Sequence, residues 1–184
     1  MHSRLTAALA VAQLTLALTA CSGGDNPKPP PFTPSVMPSV TTTTPQTSAG
    51  DAAVAAYRRY IEVTDTLARS GGTDTRDLAS VADGVELAAS KIQAENYRGR
   101  KVKSTGTTEV RWAKVTKLGE PAAGKVTTAS VQACIDTSKT DFVDAAGKSV
   151  RRPGTPTRWL DTRDLKFVDS RWKVVHGKNR AAKC

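Results

Sequence analysis

Proline restricts which part of this 184-residue chain can fold. Seven of its ten prolines fall between residues 27 and 45, within the segment SGGDNPKPPPFTPSVMPSVTTTTPQTSAG (22–50). Each proline fixes φ and removes a backbone donor, so neither helix nor sheet propagates through such a run. An extended chain of this length reaches roughly 90 Å at about 3.1 Å per residue. The sequence therefore predicts a Pro/Thr-rich tether over 21–50 and one folded domain over 51–184.

The segment before the tether is typical of a secretory signal. Residues 1–20 contain one basic residue, Arg4, followed by an uncharged apolar stretch that ends in small residues. The apolar stretch is shorter than the roughly twenty residues that span a bilayer, which favours a cleaved signal peptide. Its end, Leu18-Thr19-Ala20 directly before Cys21, resembles the bacterial lipobox. That resemblance implies that Cys21 becomes the N-terminus and carries acyl chains such as palmitate.

Lipidation at Cys21 predicts where the protein works. One acyl chain anchors a protein only marginally, whereas two or more anchor it stably. We therefore expect a lipoprotein that is held on the outer face of the cell membrane and does not span it. The alternative is an ordinary signal peptide that is cut near Ala20 and leaves Cys21 as a free thiol.

The positive charge of the domain is concentrated near its end. The domain holds 25 of the 27 basic and 16 of the 17 acidic residues, and the stretch 148–183 has eleven basic side chains against three acidic ones. Such asymmetry predicts a basic surface that attracts an anionic lipid, a cell-wall polymer or an acidic protein, although a solvated face would look the same. Nucleic acid is not an expected partner outside a cell. The residues assigned to this surface are Arg151, Arg152, Arg158, Arg163, Lys166, Arg171 and Lys173.

Hydrophobic spacing predicts helices first and strands afterwards. Apolar residues recur every three or four positions from Ala53 to Ala68, with Asp51 as a candidate cap and Gly71-Gly72 as a stop. A second helical region covers 77–97, with a break expected at Gly84. Its inward side is predicted to consist of Leu78, Val81, Ala82, Val85, Ala88, Ala89 and Ile92.

The period changes to two after Gly99. We expect strands over 102–118, 126–137 and 157–169, and then a tight turn at 169–171 that leads into Trp172–His176. Helices followed by hairpin-linked strands indicate an α+β domain with an antiparallel sheet packed on helices.

The strand VQACIDTSKTDFVDAAGKSV (131–150) and the late hairpin DSRWKV (169–174) resemble a group of actinobacterial or actinophage secreted lipoproteins. The domains of that group look like the nuclear-transport-factor-2-like, or cystatin-like, cone. The resemblance covers about 52–184. It implies N-terminal helices on a curved sheet, with a pocket at the mouth of the cone that some relatives use for catalysis and many use for protein contacts.

The cysteine count predicts one disulfide bond. If lipid occupies Cys21, an even number of cysteines, Cys134 and Cys184, remains in an exported domain. Cys134 is expected on the strand face opposite Ala133, and the segment 178–183 is long enough to cross one neighbouring strand. The bond would fix the basic C-terminal end to the sheet.

No catalytic, cofactor or metal site is predicted. The mature chain has one histidine, His176, which is expected on a strand. Asp161 and Arg163 should share a strand face and Asp164 should not, an arrangement interpreted as a surface ion-pair ladder. Asp136, Asp141 and Asp144 lack calcium-loop spacing.

Three kinds of function agree with these features. The leading one is a non-catalytic envelope lipoprotein whose domain binds an envelope protein or cell-wall polymer. The second is a carrier or sensor that holds a small apolar ligand in the cone pocket. The third is a phage or prophage lipoprotein that excludes later infection. The sequence leaves the oligomeric state open.

Overall fold

The computed structural model describes residues 44–184, so the predicted signal peptide, Cys21 and most of the tether lie outside the described part. This part contains three helices and six strands. They are α1 (Pro45–Arg69), α2 (Leu78–Val81), α3 (Gly84–Arg100), β1 (Lys103–Thr105), β2 (Glu109–Leu118), β3 (Thr128–Asp136), β4 (Asp141–Val143), β5 (Arg158–Val168) and β6 (Arg171–Ala181).

Helix α1 begins earlier than predicted. The expected cap, Asp51, is wrong because the hydroxyl of Thr44 accepts the N–H of Thr47 at 3.2 Å and caps the helix there. Pro45 follows at the first helical position, where a missing N–H costs nothing and the fixed φ suits the helix. The last residues of the predicted tether are therefore helical.

The second helical region is broken, as expected, but it turns a different side to the core. Ala82 is extended and forms a parallel bridge with Val174 of β6, and the N–H of Asp83 donates to the carbonyl of Val174 at 2.9 Å. Because the extended residue Ala82 interrupts the helical region, α3 does not continue the inward side of α2. The buried residues of α3 are Ser90 and Ala94. The inward assignment of Val85, Ala88, Ala89 and Ile92 is wrong, since all four are exposed.

The strands form two antiparallel sheets. The larger has the order β2-β3-β5-β6, and the smaller pairs β1 with β4. The predicted strand over 102–118 is two strands in different sheets, because the chain turns at Gly106 with φ 73°. Between β5 and β6, Asp169 and Ser170 both have positive φ, as a two-residue type I′ hairpin turn requires, which confirms the predicted turn.

The core lies between α1 and one face of the larger sheet. Tyr57 and Leu67 of α1 pack with Val131, Leu165 and Val174 of the sheet, and all five are almost fully buried. Register irregularities in β2 and between β5 and β6 bend the sheet around the helix. The predicted α+β class, with helices packed on a curved antiparallel sheet, is confirmed.

Candidate functional site

The larger sheet has a second face that points away from the helices, called here the outer face. Successive strand residues alternate between faces, and Ala129, Val131 and Ala133 of β3 belong to the core. Their neighbours therefore point outward. The outer face includes Glu109, Trp112, Lys114, Lys117, Thr128, Ser130, Gln132, Cys134, Asp136, Arg158, Leu160, Thr162, Asp164, Lys166, His176, Lys178 and Arg180.

Register places one row of polar side chains across all four strands of this face. Lys114 pairs with Gln132, Gln132 with Thr162, and Thr162 with Lys178. Because neighbouring strands lie about 4.8 Å apart, the two lysines bracket a neutral strip roughly 14 Å wide. We call these four residues the central row.

The acidic residues of the outer face already have partners. A carboxylate oxygen of Asp136 accepts the N–H of Ser138 at 2.9 Å, and the other lies 3.2 Å from Nε of Arg158 and 3.6 Å from Arg111. Hydrogen bonding by Ser138, and then Arg158, lowers the pKa of Asp136 to about 2. Asp164 accepts from the hydroxyl of Ser130 at 2.7 Å, and Glu109 lies 3.9 Å from Arg111 and 4.0 Å from Lys139.

The remaining charge of the face is positive. Five basic side chains form no ion pair with any residue in the described range 44–184. One of them, Lys114, places its ammonium 5.5 Å from the ring centre of Trp112. The five are Lys114, Lys117, Lys166, Lys178 and Arg180.

Only part of the basic surface predicted from the sequence lies on this face. Arg158 and Lys166 are there, whereas the exposed Arg152 and Arg171 lie in the loop before β5 and beside the β5–β6 turn. Arg151 is half-buried and donates to the carbonyls of Thr137, Thr140 and Pro156 at 2.8–3.2 Å.

Two assignments to that surface are wrong. Lys173 is 8% exposed, and its ammonium contacts Asp169 at 3.0 Å. Arg163 points to the helix side, where burial and two carboxylates hold its guanidinium. Sequence reasoning also missed Lys114 and Lys117, because they lie on β2, far along the chain from the basic segment. For β6, the two-residue spacing of Lys178 and Arg180 indicates that both side chains lie on one face of the sheet.

The predicted disulfide is present. Cys134 of β3 is bonded to Cys184, with 5.8 Å between the Cα atoms. Since β5 lies between β3 and β6, the C-terminal residues cross one strand to reach Cys134, as the sequence predicts. Strand β6 itself extends to Ala181, so only the last three residues make the crossing. Cys134 is fully buried on the outer face.

A buried polar network occupies the helix side of the sheet. Asp161 is fully buried; it accepts the phenol hydroxyl of Tyr57 at 2.9 Å and Nε of Arg163 at 3.0 Å. The guanidinium of Arg163 continues to Glu86 of α3 at 2.9 Å and lies 5.3 Å from the ring centre of Tyr60, whose hydroxyl also donates to Glu86. Asp161 and Arg163 share a face, as predicted, but their ion pair is buried and the surface-ladder interpretation is wrong.

The buried polar side chains of this network find their hydrogen-bond and ion-pair partners within the network. Burial, and then the charge of Asp161, raises the pKa of Tyr57, so this phenol stays protonated and donates. Burial likewise raises the pKa of Tyr60. Gly177 of β6 leaves the space through which Arg163 reaches Glu86, because a Cβ there would overlap the arginine side chain. Within residues 44–184, no buried side-chain polar atom lacks a hydrogen-bond partner.

One pocket of about 310 Å³ lies beside α1 and the smaller sheet. Its wall combines the rings of Tyr97, Phe142 and Trp159 with one carboxylate, Asp65, and several hydroxyl groups. The carboxylate is already occupied, since it accepts the N–H and the hydroxyl of Thr108 at 2.7 and 2.8 Å. This volume is at the lower limit of ordinary ligand pockets, and two charged side chains, Asp65 and Arg151, line it together with the aromatic rings.

The other candidate residues remain apart. His176 is exposed on β6, 3.9 Å from Asp164. Asp141 and Asp144 bond to nearby serine and backbone groups of their own loop. Among the residues described, no group of three or more histidine, cysteine or acidic side chains is arranged to hold a metal. In the same range, no helix is both long and apolar enough to cross a membrane.

Comparisons with known proteins identify the fold alone. No family model and no curated protein sequence matches the chain. The structure of the intermembrane-space region of the chloroplast protein ARC6 matches with a TM-score of 0.51 and 15% identity, over 72% of this chain and 97% of that one.

Two further solved structures carry descriptions of their folds. An NTF2-like protein from Prochlorococcus matches with a TM-score of 0.32 and 15% identity, over 52% of this chain and 62% of that one. A domain from Nostoc punctiforme, described as having a cystatin-like fold, matches with a TM-score of 0.35 and 14% identity, over 74% and 80% of the two chains. The structural neighbours thus include nuclear-transport-factor-2-like and cystatin-like proteins.

Proposed function

We propose that this chain is an exported, lipid-anchored protein of the cell envelope whose domain binds an anionic cell-wall polymer on the outer face of its sheet. The role is one of binding and not of catalysis. Asp161 and Arg163, the acid and base with the most unusual surroundings, satisfy each other and their neighbours in the interior.

The central row is the observation that carries the proposal. Lys114 and Lys178 lie at the two ends of a strip of amide and hydroxyl groups, and neither has an acidic partner among residues 44–184. A polyanion laid across the strands would meet a lysine at each edge of the sheet and hydrogen-bonding groups between them. Lys117, Lys166 and Arg180 add positive charge nearby, and such a field raises the local concentration of an anionic partner.

The N-terminal sequence supports the location. Residues 1–20 have the pattern of a signal peptide, and Cys21 occupies the lipobox position. A proline-rich segment after the anchor would let the domain reach wall polymers at a distance from the membrane. An actinobacterial or actinophage origin would agree with the lipoprotein group that the sequence resembles.

The test compares two charge-reversal pairs in the full chain. Lys114→Glu with Lys178→Glu changes the central row, whereas Arg152→Glu with Arg171→Glu makes the same change of charge at exposed positions away from it. Retention on isolated cell walls is measured while NaCl rises from about 0.1 to 1 M, over which the Debye length falls from about 10 to 3 Å. Vesicles with anionic phospholipid serve as a second surface.

We expect salt to release the unchanged protein from the walls, and the central-row pair to bind weakly even at low salt. The matched pair should behave like the unchanged protein. Salt-independent retention, or equal losses for the two pairs, would contradict a charge-driven role for the outer face. Binding to vesicles but not to walls would assign the face to lipid headgroups.

A small-molecule carrier is the second candidate, and the pocket beside Trp159 favours it. Its aromatic rings supply apolar surface and its hydroxyl groups supply orientation. The chain extracted from envelopes would then carry a small molecule that mass spectrometry detects, and Trp159→Ala would reduce its amount. A chain that carries nothing and whose tryptophan fluorescence does not change with envelope extracts would exclude this role.

A further inference from the structure

Helix α3 presents an uncharged side to solvent, called here the outward side. At about 100° per residue, six residues share this side, opposite the buried Ser90 and Ala94. The side chains of Val85 and Ile92 are 69% and 59% exposed. The six residues are Val85, Ala88, Ala89, Ile92, Asn96 and Gly99.

The composition of the outward side is the opposite of that on the solvent-facing side of an ordinary surface helix. Charged and polar side chains normally occupy the part of a helix that faces water. In α3 the charged residues Lys91 and Glu95 stand on one flank and Arg100 borders the other, and the outward side itself consists of apolar and small residues with one amide, Asn96. The apolar spacing that predicted burial for Val85 and Ile92 is therefore real, but the monomer does not provide the surface that would cover them.

We infer that the outward side of α3 docks the same side of a second copy of this chain, with the two helices antiparallel about a twofold axis near residue 93. The rise of 1.5 Å per residue then places residues whose numbers sum to about 185 at the same height. Ile92 lies beside Ile92 of the second copy, Ala89 faces Asn96, and Val85 faces Gly99. The small residues Ala89 and Gly99 allow the two helices to approach closely on either side of the centre, where the two Ile92 side chains pack against each other.

Charge complementarity favours a second copy over an unrelated helix. About this axis, Lys91 of each copy lies level with Glu95 of the other, on the same flank. The pairing therefore creates two equivalent ion pairs. Within residues 44–184, neither side chain pairs with an opposite charge in the single chain. In a parallel pair about an axis along the helices, Lys91 and Glu95 of one copy would lie on the opposite flank from those of the other, and this match would be lost.

The contact is small, so the association is weak in dilute solution. One helix side offers less than the roughly 800 Å² per partner of a stable interface. Copies held on one membrane would meet at a much higher effective concentration. This last step rests on the proposed lipid anchor, whereas the helix pairing does not.

The first experiment measures the mass of the full chain in detergent by sedimentation equilibrium, up to about millimolar protein. Ile92→Asp is compared with Val150→Asp, which adds the same charge at a residue that is 40% exposed and outside α3. We expect a monomer–dimer equilibrium whose dissociation constant rises about tenfold or more with Ile92→Asp and is unchanged with Val150→Asp. Circular dichroism checks that both variants keep their helices.

A mixing experiment isolates the ion pairs. Lys91→Glu gives two acidic residues per copy, and Glu95→Lys gives two basic ones, so each variant alone should associate more weakly than the unchanged chain. An equal mixture restores both pairs between unlike copies, and we expect it to regain the association. Lys114→Glu with Lys178→Glu should leave the dimer intact, which separates this inference from the proposed wall binding.

A chain that stays monomeric at the highest concentration overturns the inference, as does a dimer that Ile92→Asp does not weaken or a mixture that regains nothing. If Ile92→Asp instead abolishes the binding of a Cys21→Ala chain to neutral phosphatidylcholine vesicles and leaves its mass unchanged, the outward side contacts lipid and not a second copy.

Discussion

Asp161 carries a charge in a place where charge is costly. Its carboxylate has no exposure to solvent, and it is held by the hydroxyl of Tyr57 and the guanidinium of Arg163. A buried ion pair adds little net stability because both ions lose their hydration, but removal of one partner leaves an uncompensated charge. The network is therefore expected to be intolerant of single substitutions.

Arg163→Met tests this expectation. The substitution leaves both Asp161 and Glu86 without a counter-charge, and we expect a loss of about 3–5 kcal/mol in the free energy of unfolding, measured by urea denaturation. The control is Arg152→Met at an exposed loop position, which should change that free energy by no more than about 0.5 kcal/mol. Similar values for the two variants would mean that Arg163 does not neutralise the interior.

Asp136 provides a prediction about pH. Hydrogen bonding by Ser138 and Arg158 lowers its pKa to about 2 in the folded chain, against about 3.9 in an unfolded one. The folded state therefore binds the proton less readily, so this contribution to stability is complete above about pH 4 and is lost as the pH falls towards 2. Asp136→Asn should flatten the decline in thermal stability between these values. An unaltered pH profile would argue against a lowered pKa at this position.

For single residues, the sequence predicts which face of a strand a side chain occupies better than it predicts whether that face is buried. Alternation correctly puts Asp161 and Arg163 on one face of β5. It does not reveal that this face meets α1 and α3, because the stretch 161–166 is as charged as an exposed strand. The partners, Tyr57, Tyr60 and Glu86, come from helices far along the chain, and no local spacing indicates them.

At the scale of elements, the helices and the main strands were predictable from periodicity, and their ends were not. Thr44 and Pro45 together start α1 ahead of the expected Asp51. Strand β6 continues past His176 to Ala181 because β5 supplies ladder partners for its polar end. The small sheet was missed since β1 and β4 have three residues each and depend on one another.

The disulfide is the element-scale feature that the sequence predicted in full. Its bond closes a loop with a sequence separation of 50 residues around β5 and β6. In the chain-entropy account, removing it should cost roughly 4 kcal/mol of stability. Cys134→Ala with Cys184→Ala should lower the unfolding midpoint accordingly, and intact-mass analysis with alkylation should find both sulfurs blocked in the unreduced native protein. Two thiols that alkylate freely without reductant would be inconsistent with the bond.

For the whole molecule, the sequence supports a more specific prediction of location than of binding partner. The residues that predict export and anchoring are adjacent in the chain, whereas the outer face draws on four strands whose register only the fold supplies. The contact inferred on α3 could not be predicted for the same reason. Apolar residues at helical spacing indicate a buried side, and only the fold shows that this side of α3 lies outside the core.

Cys21→Ala tests the anchor. Because acyl chains would supply the attachment, we expect the variant to be released into the soluble fraction or to remain unprocessed. The measurements are cell fractionation in high salt and intact mass, with Ser22→Ala as the matched neighbour that should still be anchored. A Cys21→Ala protein that stays with the membrane and differs from the unchanged protein in mass only by the side-chain atoms would rule out lipidation.

The crossing of β5 by the C-terminal end also determines how the domain responds to pulling. A protein anchored at one end and bound to the wall elsewhere is stretched when the envelope moves. The bond between Cys134 and Cys184 closes the chain between them into a ring that cannot be pulled out to its full contour length. At about 3.4 Å per residue the ring has roughly 170 Å of contour, and a force that enters at Cys134 and leaves at a binding residue inside the ring can extend it by at most about half of that length. Strands β5 and β6, which carry Lys166, Lys178 and Arg180, lie inside that ring, whereas Lys114 lies on β2 outside it, so a force on the proposed binding face would act on both parts of the chain.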